Sequence, residues 1–209
     1  MSNNATQFFN SVKNDNEEIL WTDTPIFMPF VLPYFLLGLP FLIISIIILI
    51  VFNTIFSNAP DDIKIFSFIF YAFGSLFILV GLGICFGRIF AFSNTAFAYT
   101  QYRVLIRGGF WGTDFISIDY DKITNMEVNV NPIENMSSTG SILFYSGKTR
   151  STKHGTVAAH DAFSAIKNPY EVFKKLKQIS LDVKTDIHYP NALRPDNNPG
   201  YNTNYNPRD

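Results

Sequence analysis

Between Asp23 and Asp61 no side chain carries a charge, and after Lys64 a second run, Ile65 to Gly87, continues for 23 residues without one. Uncharged stretches of that length restrict a chain severely. A helix of roughly 20 apolar residues crosses the ~30 Å hydrocarbon core of a bilayer. In lipid every backbone N–H and C=O must find a partner, and a helix supplies those partners by itself. A cleaved signal peptide needs a basic start and an apolar region of only about 7–15 residues. Here an acidic segment precedes a longer run, and a soluble helix is rarely charge-free over such a distance. The two runs are therefore read as transmembrane helices, about 33–56 and 65–87, within an anchor spanning 26–92. Pro25, Pro29, Pro33 and Pro40 punctuate the first. Since proline removes a backbone donor and clashes with the preceding turn, the helix proper is expected to begin near Pro33 and to kink at Pro40. The second holds Gly74, Gly81, Gly83 and Gly87, of which Gly83 and Gly87 form a G-x-x-x-G pair suited to close approach by the other span.

About a dozen residues, Asn53 to Lys64, join the spans. So short a connection makes a helical hairpin and returns the chain to its starting side. Basic residues near the span ends number one in the connection, Lys64, against Lys13, Arg88, Arg103 and Arg107 on the other side. That bias places both termini in the cytoplasm of a cell whose membrane the protein crosses twice. The formal net charge is -1, but it is segregated: residues 1–25 carry -3 and residues 88–180 carry +4. This is far too weak for a nucleic-acid footprint. Cys85 is the single cysteine, so neither an internal disulfide nor a cysteine-built zinc site can form.

After the anchor, residues 95–181 read as a folded domain of short alternating strands. Candidates are Phe97–Thr100, Val104–Arg107, Phe115–Tyr120, Asn125–Val130, Ser141–Ser146 and Thr156–Phe163, with Gly108-Gly109 as a turn and Asn131-Pro132 as a stop. A helix follows. Asn168, Pro169 and Glu171 occupy N-cap, first-turn and capping-box positions, and Tyr170, Val172, Phe173, Leu176 and Ile179 form its apolar stripe. Strands first and a helix last argue an α+β fold, with the helix long enough to cover an open end of a small barrel. Residues 182–209, rich in Asn and Pro, are expected to be a flexible tail.

Glu17-Glu18-Ile19-Leu20-Trp21 before the paired spans, then Tyr99-Thr100-x-x-Arg103-Val104-Leu105-Ile106-Arg107-x-Gly109, resembles the prokaryotic membrane-anchored PH-like domain proteins. The similarity continues through Ser117-Ile118-x-Tyr120-x-Lys122-Ile123-x-Asn125-Met126-x-Val128, Thr139-Gly140-Ser141-Ile142 and Ala165-Ile166-Lys167-Asn168-Pro169, covering roughly residues 17–180. It implies a transmembrane hairpin followed by a PH-like antiparallel β-barrel capped by a C-terminal helix. It implies neither an enzyme nor any lipid-site residue.

Candidate sites are few. Gly147-Lys148-Thr149 lacks the first glycine of a phosphate loop, because Ile142 stands there. Lys148, Arg150, Lys153 and His154 lie in a loop with no acid from Ser146 to Ala159. They could hold anionic lipid headgroups, at about 1 kcal/mol per cation near a leaflet, or an acidic partner; charge runs of this kind are more commonly a solvated hairpin tip. Phe110-Trp111, after a double glycine, either enters the membrane interface, binds a partner, or packs back under the barrel end or onto the anchor. His154, His160 and His188 show no metal-ligand spacing, and Asp119, Asp121 and Glu127 fall at exposed strand positions that do not make a catalytic pair. The expected role is a non-catalytic binding or scaffolding module, without cofactor, whose partners are the bilayer and membrane proteins. An accessory subunit of a membrane transporter or enzyme complex is the alternative.

Overall fold

The computed structural model describes residues 2–57, 59–60, 64, 66–153 and 155–188. His154 and the segment 189–209 lie outside the described residues, as does most of the connection between the spans. The chain divides into two compact units, one of Met1–Ile26 with Asn94–Asp209 and one of Phe27–Ser93.

The first unit is α+β. Helix α1 (Ser2–Asn10) and strand β1 (Ile19–Asp23) precede the hairpin, and β2 (Ala96–Thr100), β3 (Arg103–Gly108) and β4 (Asp114–Asp119) follow it. These four strands form one antiparallel sheet in sequence order. Residues 1–25, set apart in the sequence reading, thus belong to the folded domain, with Asp23 opposite Phe97 and Thr22 opposite Ala98. A short 3-10 turn (Tyr120–Lys122) leads to β5 (Asn125–Asn129), helix α4 (Pro132–Met136), β6 (Thr139–Thr152) and β7 (Gly155–Lys167). The last three strands form a second antiparallel sheet. Strand pairing therefore gives two sheets, of four and three strands, around one core.

That core draws Phe97, Tyr99, Val104, Ile118, Tyr120, Phe144 and Phe163 from both sheets, and Val172, Leu176 and Val183 from the final helix. The final helix, α5, runs Pro169–His188 and so takes residues 182–188 from the expected tail. Leu176, Ser180 and Val183 repeat the four-and-three spacing of one helix face, and all three are buried, so the apolar stripe simply continues. The four-stranded sheet is covered on its other face too. Phe9 of α1 packs on Ala96, Ala98 and Leu105, which explains why every residue of β2 is buried. Alanines stand where the helix lies close, and large aromatics stand on the core face.

The second unit is a pair of helices, α2 (Phe27–Ser57) and α3 (Ser67–Asn94), the latter ending in the first unit. Both are long and apolar enough to cross a membrane. Helix α2 begins at Phe27, six residues before the expected start, and contains Pro33 and Pro40. Pro29 falls in its first turn, where a missing N–H costs nothing. The buried positions of α2 include Val31, Gly38 and Ser45, and those of α3 are Gly74, Gly81 and Cys85. Steps of seven, with one of four from Gly81 to Cys85, keep a single seam facing the partner helix. At Gly38 an added Cβ would collide with the Cys85 sulfur and approach the Gly81 carbonyl oxygen to 2.9 Å. The expected Gly83–Gly87 contact is not the seam: a Cβ at Gly83 meets nothing within 4 Å. The G-x-x-x-G spelling pointed one helix face away from the residues that pack. Arg88, the one charge of α3, lies over the rings of Phe30 and Tyr34 at 3.9 and 4.7 Å.

Candidate functional site

In an antiparallel sheet whose strands follow one another in order, successive connections alternate between its two ends. The β2–β3 turn therefore lies at one end. The β3–β4 turn shares the other end with the gap between β1 and β2, where the long helices are inserted.

At the first end sits a closed ionic cluster. Arg103 Nε and Nη2 donate to Glu17 Oε1 and Oε2 at 2.8 and 2.6 Å. Thr100 Oγ1 donates to Oε1 at 2.7 Å and the Asn14 N–H to Oε2 at 3.0 Å, while Arg103 Nη2 also reaches the Val12 carbonyl. The Tyr120 hydroxyl donates to the Thr100 carbonyl at 3.0 Å. Burial pushes the Glu17 carboxyl up, but the Arg103, Asn14 and Thr100 donors more than offset it, and the net displacement is downward. The two-pronged pairing partners both carboxylate oxygens, and its work is to fasten the segment before the helices onto the domain after them. Sequence reasoning had both ends of this pair within its family pattern without joining them. The signal available was an acid just before β1 and an arginine at the start of β3, neither of which a free strand needs.

At the other end, Ile26 N–H donates to the Ala165 carbonyl of β7 at 2.9 Å. Asp23, beside Lys167, has its carboxyl pushed up by burial, with the Thr24 N–H and Lys167 acting against the shift. Asn94 Nδ2 donates to the Gly109 carbonyl at 3.4 Å, and Arg107 Nη1 donates to the Asn94 carbonyl at 3.1 Å. Arg107 also stacks on Phe8 at 3.9 Å. Phe110 and Trp111 occupy the β3–β4 tip, edge to face at 5.0 Å between ring centroids. Trp111 is 94% exposed and Phe110 43%. Within the domain, then, the tryptophan does not pack back under the sheet.

Lys148 and Arg150 lie on the outer half of β6, and Lys153 lies in the turn to β7. What the sequence presents as a loop is a two-stranded ribbon, Thr149 opposite Ala158 through Thr152 opposite Gly155, with an irregularity at Gly147, whose φ is +74°. Lys148 Nζ is 2.8 Å from Asp161 Oδ2, so its partner stands two residues beyond the acid-free run. Arg150 and Lys153 are exposed. Thr139 faces Lys167 at the base of this β6–β7 pair, next to the Ile26–Ala165 bond. The basic residues belong to the three-stranded sheet and the aromatic tip to the four-stranded one.

His160 lies on β7 with its ring 5.5 Å from that of Tyr145, and His188 ends α5. Glu127 accepts from Asn125 and Tyr145, and Asp121 pairs with Lys122 at 3.1 Å. Among the described residues no three His, Cys, Asp or Glu converge as metal ligands.

A family model described as "Bacterial PH domain" matches residues 27–178. Among solved structures, a DUF1696-family protein with a pleckstrin-homology domain from Shewanella loihica is similar at 14% identity and a TM-score of 0.28, over 41% of this chain and 70% of that one. No curated protein matches. With a match over most of its length, on two antiparallel sheets and a terminal helix, the chain belongs to the bacterial PH domain family.

Proposed function

We propose that this protein is a membrane-tethered PH-like module for binding or scaffolding, without catalysis, whose α2 and α3 cross the bilayer as a hairpin and whose termini both lie in the cytoplasm. In this reading the two sheets wrap their common core as a bent barrel with α5 across one opening. One observation carries it: β1 and β2 are hydrogen-bonded neighbours, and the two long apolar helices lie between them in the chain. Strands on opposite sides of a membrane cannot pair. An even number of crossings is therefore required, which two spans satisfy and one does not. Exposed Ile43, Ile47, Ile50, Phe68 and Leu79 along the helices suit a lipid surround and would be costly in water.

The tethers are short. Thr24 to Ile26 separate β1 from α2, and Thr95 alone separates α3 from β2. A domain held by two such links stays at the bilayer surface, where its effective concentration towards other membrane components is high.

Reporter or protease mapping of the full chain tests this. Tags at the N-terminus and at exposed Met136 should respond from the cytoplasm, a tag after Pro60 from outside, and alkaline extraction should leave the protein in the vesicles. Finding the N-terminus and Met136 on opposite sides, or release by alkali, overturns the proposal. Replacement of 27–93 by an unrelated hairpin separates a scaffold, which keeps its partner, from an accessory subunit of a transporter or membrane enzyme, which loses it.

A further inference from the structure

We propose that the Phe110–Trp111 tip is a second membrane contact, seated in the lipid headgroup interface beside the point where α3 leaves the bilayer. The inference rests on the membrane-crossing reading above and adds a named surface and its occupant.

Topology sets the tip at the end of the four-stranded sheet from which the helices depart. The Asn94–Gly109 hydrogen bond narrows this further, because Asn94 is the last residue of α3. The Arg107 guanidinium, on the Asn94 carbonyl and over Phe8, holds the base of the hairpin to the same point. The tip is also built to keep its shape. Gly109 has φ +134°, and a Cβ there would run into the Gly112 carbonyl, so the turn closes on itself and directs its two rings outward. From Gly108 to Thr113 it contains no charge. Leaving a nearly fully exposed Trp in water gives up the burial of a large apolar surface. The bilayer interface favours this residue, taking the ring into the acyl boundary and the indole N–H to water.

The test uses the full chain in phosphatidylcholine vesicles with bromine placed at shallow or deep acyl positions. Only two tryptophans are present. Trp21, stacked on Tyr99 and Phe163 at 5.5 and 5.6 Å, is the internal reference, and Trp111→Phe isolates its signal. The Trp111 contribution should be blue-shifted, lose most of its intensity to shallow-brominated lipid and less to deep, and resist acrylamide. A Trp111 signal that acrylamide quenches freely and bromolipid does not overturns the inference. So does a signal shielded from both, which assigns the tip to a protein partner. Alkaline extraction of the same vesicles distinguishes the two levels: a retained protein with unquenched Trp111 refutes only the tip contact, whereas a released protein refutes the membrane reading beneath it.

Discussion

The two units of this chain solve the same packing problem in opposite ways. In the domain, large rings fill the centre: Phe163 lies 4.9, 5.0 and 5.6 Å from Phe144, Phe97 and Trp21, and the small alanines of β2 sit under α1. In the helix pair the seam is Gly38, Gly74, Gly81, Ser45 and Cys85, while isoleucines, leucines and phenylalanines face outward. Water drives apolar bulk to the centre of the domain. In the lipid surround proposed for the helices no such preference would act, and close approach of backbones would decide what sits between them. The polar groups divide in the same way. The domain fastens its N-terminal strand with a fully partnered carboxylate. The helix pair offers the Cys85 thiol to the Phe35 carbonyl at 3.6 Å, near the ladder gap that Pro40 leaves.

Removing bulk from the domain should produce the largest effect. Phe163 is fully buried and touches both sheets, so Phe163→Ala should cost about 4 kcal/mol through lost burial and the cavity left behind. Denaturant unfolding in detergent, followed through Trp21, measures it. A loss below about 1 kcal/mol would mean that the two sheets do not share this core.

The ionic cluster comes next. Glu17→Gln keeps the shape but strands the Arg103 guanidinium, at about 3 kcal/mol for breaking a buried pair from one side. Its pH dependence is a separate readout. Because the folded carboxyl is displaced below the ordinary 4.5, its contribution is complete above that pH and drains away as pH falls through the depressed value. Asp23, displaced upward, works in the opposite sense. Wild type should therefore lose stability relative to Glu17→Gln on acidification below 4.5, and the two unfolding curves should converge. Parallel curves across that range would show that the cluster does not hold Glu17 ionised.

How much of this the sequence disclosed follows from which forces are local. Strands β4 to β7 and α5 were legible because each has a period of its own, set by one wet and one dry face, and β2 and β3 as short apolar runs ended by turn residues, although α1 covers their second face. The two long apolar helices were legible because absence of charge needs no partner to be meaningful. Strand β1 was not. Ile19-Leu20-Trp21 is short, and only pairing with β2 across 72 intervening residues, 24–95, makes it a strand. Helix α4 was missed although Asn131-Pro132-Ile133-Glu134 spells the same Asn-Pro-x-Glu as Asn168 to Glu171. In the structure Asn131 accepts from the Glu134 N–H, and Glu134 reaches back to the Asn131 N–H at 2.9 Å. The Trp111 candidate was named from the sequence, but its exposure and its place beside Asn94 depend on the order of strands in the sheet.

Adding bulk to the helix seam should be damaging where the same change outside it is not. Gly81→Leu places a side chain against Leu42 and the Gly38 backbone, where even a Cβ falls 2.7 Å from Leu42 Cδ2. Overpacking of this kind costs about 1–3 kcal/mol. Gly83→Leu, in open space, should be silent. Denaturant unfolding in detergent measures it: Gly81→Leu should lower the midpoint and Gly83→Leu should not. Equal shifts would place the contact on the G-x-x-x-G face instead, and the contrast between the units would lose its basis.

The smallest change is expected on the ribbon. The Lys148–Asp161 pair is more than half exposed on its lysine side, and exposed pairs contribute only about 0.2–1 kcal/mol. Lys148→Gln should therefore shift the unfolding midpoint barely at all, and Arg150→Gln with Lys153→Gln should not shift it measurably. What these three cations do would appear only when something acidic is present. In the full chain in vesicles, the triple variant should leave bromolipid quenching of Trp111 unaltered, because ribbon and tip belong to different sheets. If the triple variant instead lowers that quenching on anionic vesicles and not on neutral ones, the ribbon reaches the leaflet, and basic and aromatic features belong to a single lipid-facing surface.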